Sequence, residues 1–415
     1  MKIILVSVGT RGDMEPFLAI AEILGRRGHQ VICAFPEQFR HLVEKTDFEF
    51  ASLGSKLIEL LESKDGRMAM GGGGSRFEKF LALLRLARNQ SDSNKELVFR
   101  QYELIEKENP DRIVYNGKAV YPILWGLSNL GKTTFISPLP YMHYVKGHTH
   151  VAFNSNFGGF FNKLTFSLAH FGMTTTVLMA KKWLKIKERI SRLEIKSMLQ
   201  YNKSIYTISP SLFSRPAYWP KNLQVLGYHQ VTENVDWHPS VNLQSFLERH
   251  HKILLISFGS MLNPSPQQKT NIIIDILHRN KIPAVINTAA GGLVNNGHES
   301  EYVHFVSQVP YRWIFPQMHG VIHHGGSGTT HLGLKYGCTT MIIPHIIDQF
   351  VWNKIVADLG AGPKGIKIGK ITKLNLEPLI KSLYNDASYK ARAEHISSQM
   401  KNEDFEDELY ESIVA

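Results

Sequence analysis

Cysteine is nearly absent, with only Cys33 and Cys338 in 415 residues. They lie far apart, and neither belongs to a CxxC or other metal-type spacing. A disulfide framework and a structural zinc site are therefore excluded as organising features, and a reducing, cytoplasmic setting is expected. No run approaches the ~20 consecutive apolar residues that a membrane-spanning helix requires. The opening MKIILVSVG has one lysine and a short apolar run, but Gly9, Arg11, Asp13 and Glu15 follow where a secretory segment would still be apolar. A first buried strand is expected there instead. Zinc-finger and RNP-type motifs are also missing, so nucleic acid is not the expected partner. The formal net charge of +11 then fits a nucleotide diphosphate or an acidic membrane surface, and charge alone does not choose between them. No DxD pair stands near a strand end, Asp111 being alone, so no metal site is expected.

What is present reads as an ordinary globular chain, 43% hydrophobic and 20% charged, long enough for two domains. Short apolar runs at 3–8, 31–35 and 112–115 alternate with amphipathic stretches such as 17–26, which is the βαβ rhythm of a parallel sheet. Gly28 suits a helix C-terminus feeding the next strand. The GGGGS at 71–75 and the aromatic, glycine-rich stretch 141–161 are expected as loops. Residues 174–200 turn helical and basic, and the part at 181–196 suits either a solvated helix face or a membrane-surface contact. Strands are expected again at 252–258, 284–287, 303–305, 320–323 and 340–343. The expected organisation is an N-terminal domain 1–215, a proline-bearing linker 216–240 and a C-terminal domain 241–395, with the helix 396–415 completing the first domain.

The segment 321–349, VIHHGGSGTTHLGLKYGCTTMIIPHIIDQ, carries the most chemistry. A strand enters a glycine-rich turn and then a short helix, so the backbone can approach a ligand closely while unpaired N–H groups at the helix start point at it. His323 and His324 are adjacent on a strand end, so only one of them faces the site.

HHGGSGTT followed by Asp348 and Gln349 resembles the donor-binding signature of the family 1 nucleotide-sugar glycosyltransferases, the UDP-glycosyltransferase superfamily that includes sterol glucosyltransferases and glycopeptide-antibiotic glycosyltransferases. GTRGDMEPF, residues 9–17, resembles the start of those two branches. The two motifs sit at opposite ends of the chain. The resemblance implies an α/β GT-B fold, two Rossmann-like domains facing across a cleft, and an inverting, metal-independent transfer of a sugar from a nucleotide donor, UDP-glucose leading and a dTDP-deoxysugar remaining open. It assigns His324 to the donor diphosphate, with Gly326, Ser327, Gly328, Thr329 and Thr330 beside it. Asp348 and Gln349 would hold sugar hydroxyls, and Gly259 and Ser260 of ISFGSM would lie near the phosphates. Trp313 of VPYRWIFPQ would pack near the base, or would be an ordinary core residue.

The plant branch places a catalytic histidine in the first loop, whereas the first histidine here is His29, beyond the first helix. The matching residue in GTRGD-type relatives makes Asp13 the candidate general base. Its rival role is a helix cap; Pro16 at the first helical position would make Glu15 the cap and leave Asp13 in the preceding loop. The apolar acceptor, whether sterol, polyketide, flavonoid or lipid, is expected against the aromatic segment that holds Tyr141, Met142, His143, Tyr144, Phe153, Phe157, Phe160 and Phe161. A nucleotide-sugar epimerase of the same fold and a non-catalytic binding protein are the alternatives.

Overall fold

A computed structural model describes the chain except residues 57, 58, 60–75, 154, 233–236, 260, 262, 264, 290, 296 and 298, and except the side chains of 76–90. The GGGGS segment and Ser260 thus lie outside the described residues. Contacts divide the chain into two units, one drawn from Met1–Gly66, Arg76–Thr232 and Asp404–Ala415, the other from Glu233–Glu403.

The first unit is built on strands β1 (Lys2–Val6), β2 (Gln30–Phe35), β3 (Glu49–Ser52), β4 (Arg112–Tyr115), β5 (Thr133–Ser137), β6 (Lys203–Tyr206) and β7 (Leu223–Val225). They form one sheet in the order β3-β2-β1-β4-β5-β6-β7, and every pairing is parallel. The central strands are apolar on both faces because helices cover both. Ile4, Val6 and Ile113 pack to one side with Val177; Ile3 and Leu5 pack to the other with Phe17 and Leu409. The strand order reverses between β1 and β4, which opens a crevice at their carboxyl ends.

The second unit repeats this plan with β8 (Leu254–Ser257), β9 (Ala284–Asn287), β10 (Val303–Val306), β11 (Gly320–His323) and β12 (Thr339–Ile342), ordered β10-β9-β8-β11-β12 and again all parallel. Ile256, Ile286 and Ile322 pack with Ile273, Leu277 and Ile380 from the helices Pro266–Asn280 and Lys373–Asn385. Here the order reverses between β8 and β11.

Residues 216–232 belong to the first unit and supply its edge strand β7. The helix Ala387–Lys401 stays with the second unit, while Glu406–Val414 returns to the first. There Leu409 and Ile413 are buried, Arg26 pairs with Glu406 at 2.7 Å, and Arg112 donates to the carbonyls of Val414 and Ala415. The stretch 174–200 falls on two helices, Gly159–Trp183 and Arg192–Tyr201.

Candidate functional site

At the first reversal point the chain leaves β1 through Ser7 to Gly9 and enters the helix Arg11–Arg26, capped by Thr10. The helix therefore begins before Pro16, which lies inside it, and Asp13 sits in its first turn, not in a preceding loop. The physical reason is a one-way cap: Asp13 Oδ2 accepts from Thr10 N at 2.8 Å and from Thr10 Oγ1 at 3.2 Å, satisfying a donor that a later start would leave unpaired. Capping and presentation are compatible, because both carboxylate oxygens also receive Lys118 Nζ at 3.1 Å. Lys118 follows β4, so the pair bridges the two strand ends. Asn116 fixes the frame: its Nδ2 donates to Ser7 Oγ and Val8 O, its Oδ1 accepts from Lys118 N, and Ser7 Oγ donates to Asp13 O.

Gly9 is obligatory here. Its φ is +138°, and a Cβ would lie 2.1 Å from Asp13 Oδ2 and 2.5 Å from Lys118 Nζ. Gly117 continues the surface toward the aromatic segment, since a Cβ there would meet Met142 at 3.4 Å and Phe135 at 3.5 Å. His143 packs edge-on to Phe135 and bonds Tyr206 Oη through Nδ1 at 2.7 Å. Burial, with His170 and His150 adding to it, pushes its imidazole down to about 3, so the ring is neutral. Tyr141, at φ +61°, stacks on His148 and meets Phe213, which packs on Tyr206 and Trp219. Phe153 belongs to a neighbouring group with His150 and Phe166. Tyr144, Phe157, Phe160 and Phe161, expected in the same wall, are exposed.

At the second reversal point His323 and His324 divide their roles. His323 is fully buried, and its Nδ1 accepts from Gly325 N at 3.1 Å, which shapes the turn. The His324 ring lies between two glycines: a Cβ at Gly259, φ +56°, would stand 2.9 Å from its Cε1, and one at Gly326 would stand 2.7 Å from its Nε2. Its buried Nδ1 has no partner among the described residues. Burial and nearby His345 push this imidazole down to about 3, leaving it neutral.

Gly326 caps the helix Ser327–Lys335, so the N–H groups of Gly328 and Thr329 fall in the first turn, where no intrahelical acceptor exists. Thr330 departs from expectation. Its N–H and its hydroxyl both go to Gly326 O, at 3.0 and 2.9 Å, so it ties down the turn and has no donor to offer a ligand.

The helix Ile347–Asp358 begins just after β12 and carries Asp348 and Gln349 in its first turn. Gln349 Oε1 accepts from His345 N at 2.7 Å and Ile346 N at 3.1 Å. Only its Nε2 end remains for other contacts. Gly325, φ +101°, admits this side chain, since a Cβ there would lie 3.0 Å from that of Gln349. Trp313 is half-buried and not a core residue; its ring packs against Trp237 at 4.8 Å. Sequence reasoning missed Lys118, Asn116 and Trp237. The only available signal was the position of Asn116 and Lys118 just past an apolar run, where an open α/β sheet places its ligands.

Known proteins share this architecture. The glycosyltransferase family 28 N-terminal domain matches residues 3–116, and the erythromycin biosynthesis protein CIII-like C-terminal domain matches residues 281–415. A sterol 3-beta-glucosyltransferase of Arabidopsis thaliana is 28% identical over 97% of this chain, which spans 64% of that relative. One of Saccharomyces cerevisiae is 24% identical over 96% of this chain, which spans 34% of it. The glycosyltransferase of kitacinnamycin superposes with a TM-score of 0.72 at 17% identity, covering 99% of both chains. Spinosyn rhamnosyltransferase SpnG complexed with thymidine diphosphate does so at 0.66 and 15% identity, covering 100% of both. With two doubly wound parallel sheets and these structural neighbours, the chain has the GT-B fold, its two ends match two glycosyltransferase-type domain families, and nearly its whole length is similar to sterol 3-beta-glucosyltransferases.

Proposed function

We propose that this chain is an inverting, metal-independent glycosyltransferase, with UDP-glucose the leading donor and a hydroxyl of a small apolar molecule the acceptor. A sterol leads the acceptor classes, because the sterol 3-beta-glucosyltransferases align over nearly the whole of this chain. The observation that carries the reading is the orphaned imidazole of His324, wedged between Gly259 and Gly326 beside the first turn of the helix Ser327–Lys335. An imidazole N–H and unpaired backbone N–H groups in one place suit a diphosphate. They stabilise it most as the bond to the anomeric carbon breaks and charge collects on the leaving phosphate. The acceptor oxygen forms the new bond from the opposite face of the sugar and passes its proton to the Asp13 carboxylate. A dTDP-sugar is accommodated by the same contacts, since these do not touch the base.

The test is incubation with UDP-glucose or dTDP-glucose and a panel of sterols, flavonoids and macrolactones, following nucleotide release and glycoside formation. Glycoside formed with inversion at the anomeric carbon, undiminished by a chelator, supports the reading. Conversion of the donor without acceptor would indicate an epimerase, and binding without nucleotide release under any acceptor would indicate a non-catalytic protein.

The sugar contacts make a separate prediction. Asp348→Ala is expected to weaken UDP-glucose at least ~10-fold while UDP affinity stays within about twofold, because that side chain is proposed to touch the sugar and not the nucleotide. Gln349 also holds two backbone donors, so Gln349→Glu is the cleaner variant: it keeps an acceptor for His345 N and Ile346 N and removes the amide donor. Calorimetry with both ligands decides it, and equal losses for UDP and UDP-glucose would contradict the assignment.

A further inference from the structure

We propose that the helix Gly159–Trp183 docks this chain onto an anionic phospholipid surface, its outward face entering the headgroup layer. Phe160, Leu164, Leu168, Phe171 and Met179 recur at the spacing of one helical stripe. All five are exposed, Phe160 to 78%, Leu168 to 51% and Phe171 to 60%. The opposite side of the same helix is spent on the protein core, where Phe166, Val177 and Ala180 are buried. This helix is thus apolar nearly all round, although among the described residues protein covers only one side. From Phe160 to Met179 the stripe runs about 28 Å at 1.5 Å per residue. Only Thr175, whose hydroxyl is bonded to Phe171 O, interrupts the strip between Phe171 and Met179, and an apolar strip of that length marks an interaction face, unlike scattered single residues.

Charge selects the partner. Residues 112–187 contain nine lysines and arginines and no aspartate or glutamate. Over 155–200, which holds the helix and the segment after it, eight cationic residues face two acidic ones, Glu188 and Glu194. The Glu194 carboxylate is already used by Ser191 N and Oγ at 2.7 and 2.6 Å. Cations also lie against the exposed rings: the Arg192 guanidinium is 5.4 Å from the centroid of Phe171, and Lys163 Nζ is 5.7 Å from that of Tyr144. Long basic side chains beside shallow aromatic and leucine side chains match a layer that is anionic outside and apolar beneath. A neutral protein partner would leave the cations unmatched, and a second copy would bring its own excess of them. Among the described residues no helix is long and apolar enough to cross a membrane, so the contact lies along the surface.

The experiment is co-sedimentation of the full chain with phosphatidylcholine vesicles made with and without phosphatidylglycerol, at low and high salt and without any sugar substrate. The chain is expected to pellet with the anionic vesicles, weakly with the neutral ones, and less as salt rises. Leu168→Glu/Phe171→Glu should reduce partitioning at least ~10-fold, and each of Lys182→Gln, Lys185→Gln and Lys187→Gln by roughly fivefold. These positions are exposed or flank the helix, so circular dichroism and UDP affinity should match the parent chain. Absence of binding to anionic vesicles, or unchanged binding by the double variant, would overturn the proposal. So would a dimer in solution that the double variant makes monomeric, which would identify a second copy as what covers this face. Because vesicle binding is read without turnover, its outcome is independent of whether the chain transfers sugar.

Discussion

Asp13→Asn is expected to leave a folded protein that binds UDP within about twofold of the parent and transfers sugar at least ~10²-fold more slowly. The variant is informative because Asp13 has two demonstrable contacts of different kinds. Toward Thr10 it is a helix cap, and asparagine keeps an acceptor for Thr10 N. Loss of a cap costs about 0.5–2 kcal/mol of stability and little chemistry. Toward Lys118 it is a carboxylate, and an amide cannot take up a proton as the acceptor oxygen attacks. A purely structural Asp13 therefore predicts a lower melting temperature with near-normal transfer, whereas a base predicts the reverse. Gly9→Ala supplies a control that leaves the carboxylate chemistry intact. Its new Cβ would fall 2.1 Å from Asp13 Oδ2 at a φ of +138°, so the carboxylate must move. A comparable fall in transfer with retained UDP binding would show that the position of the carboxylate matters as well as its presence. Near-normal transfer by Asp13→Asn would eliminate it as the base.

His324→Ala should weaken UDP by roughly 10- to 100-fold and lower turnover with it, as expected for a hydrogen bond to a charged group worth about 1.5–3 kcal/mol. The structure distinguishes this residue from its neighbour. His323 is buried and holds Gly325 N, so His323→Ala is expected to lower the melting temperature as well. His324 lies between Gly259 and Gly326 with an unpartnered Nδ1, so its removal should cost affinity with little loss of stability. The protonation state adds a second readout. An ordinary histidine loses its charge as pH rises through ~6.5, but burial lowers that of His324 to about 3, so it is already neutral well below that value. The contribution of His324 to UDP affinity, taken as parent minus variant, should therefore be flat from pH 6 to pH 8. A contribution that falls across that interval would mean a charged imidazole binds the phosphates, and unchanged affinity in His324→Ala would remove the residue from the donor site.

Much of this protein is legible in its sequence. Apolar runs such as 31–35 and 320–323 are too short for helices and too apolar for exposed strands, so two covered parallel sheets followed from local composition. The turn at 323–329 was legible for the same reason, because glycine spacing and a helix start are short-range properties. The pairing of Asp13 with Lys118 was not, since the two are 105 residues apart and meet only because β4 inserts beside β1. Nor was the helix start at Thr10, where the hydrogen bond from Thr10 N to Asp13 outweighed the preference of Pro16 for a first position. Residues 223–225 looked like part of a spacer among prolines, yet pairing with β6 makes them a strand. The helix Gly159–Trp183 shows the limit most clearly: its sequence is apolar on both sides, and only packing decides which stripe is core and which is left outside. Local patterns report what a segment can form, whereas strand order and solvent exposure are set by contacts made a hundred residues away.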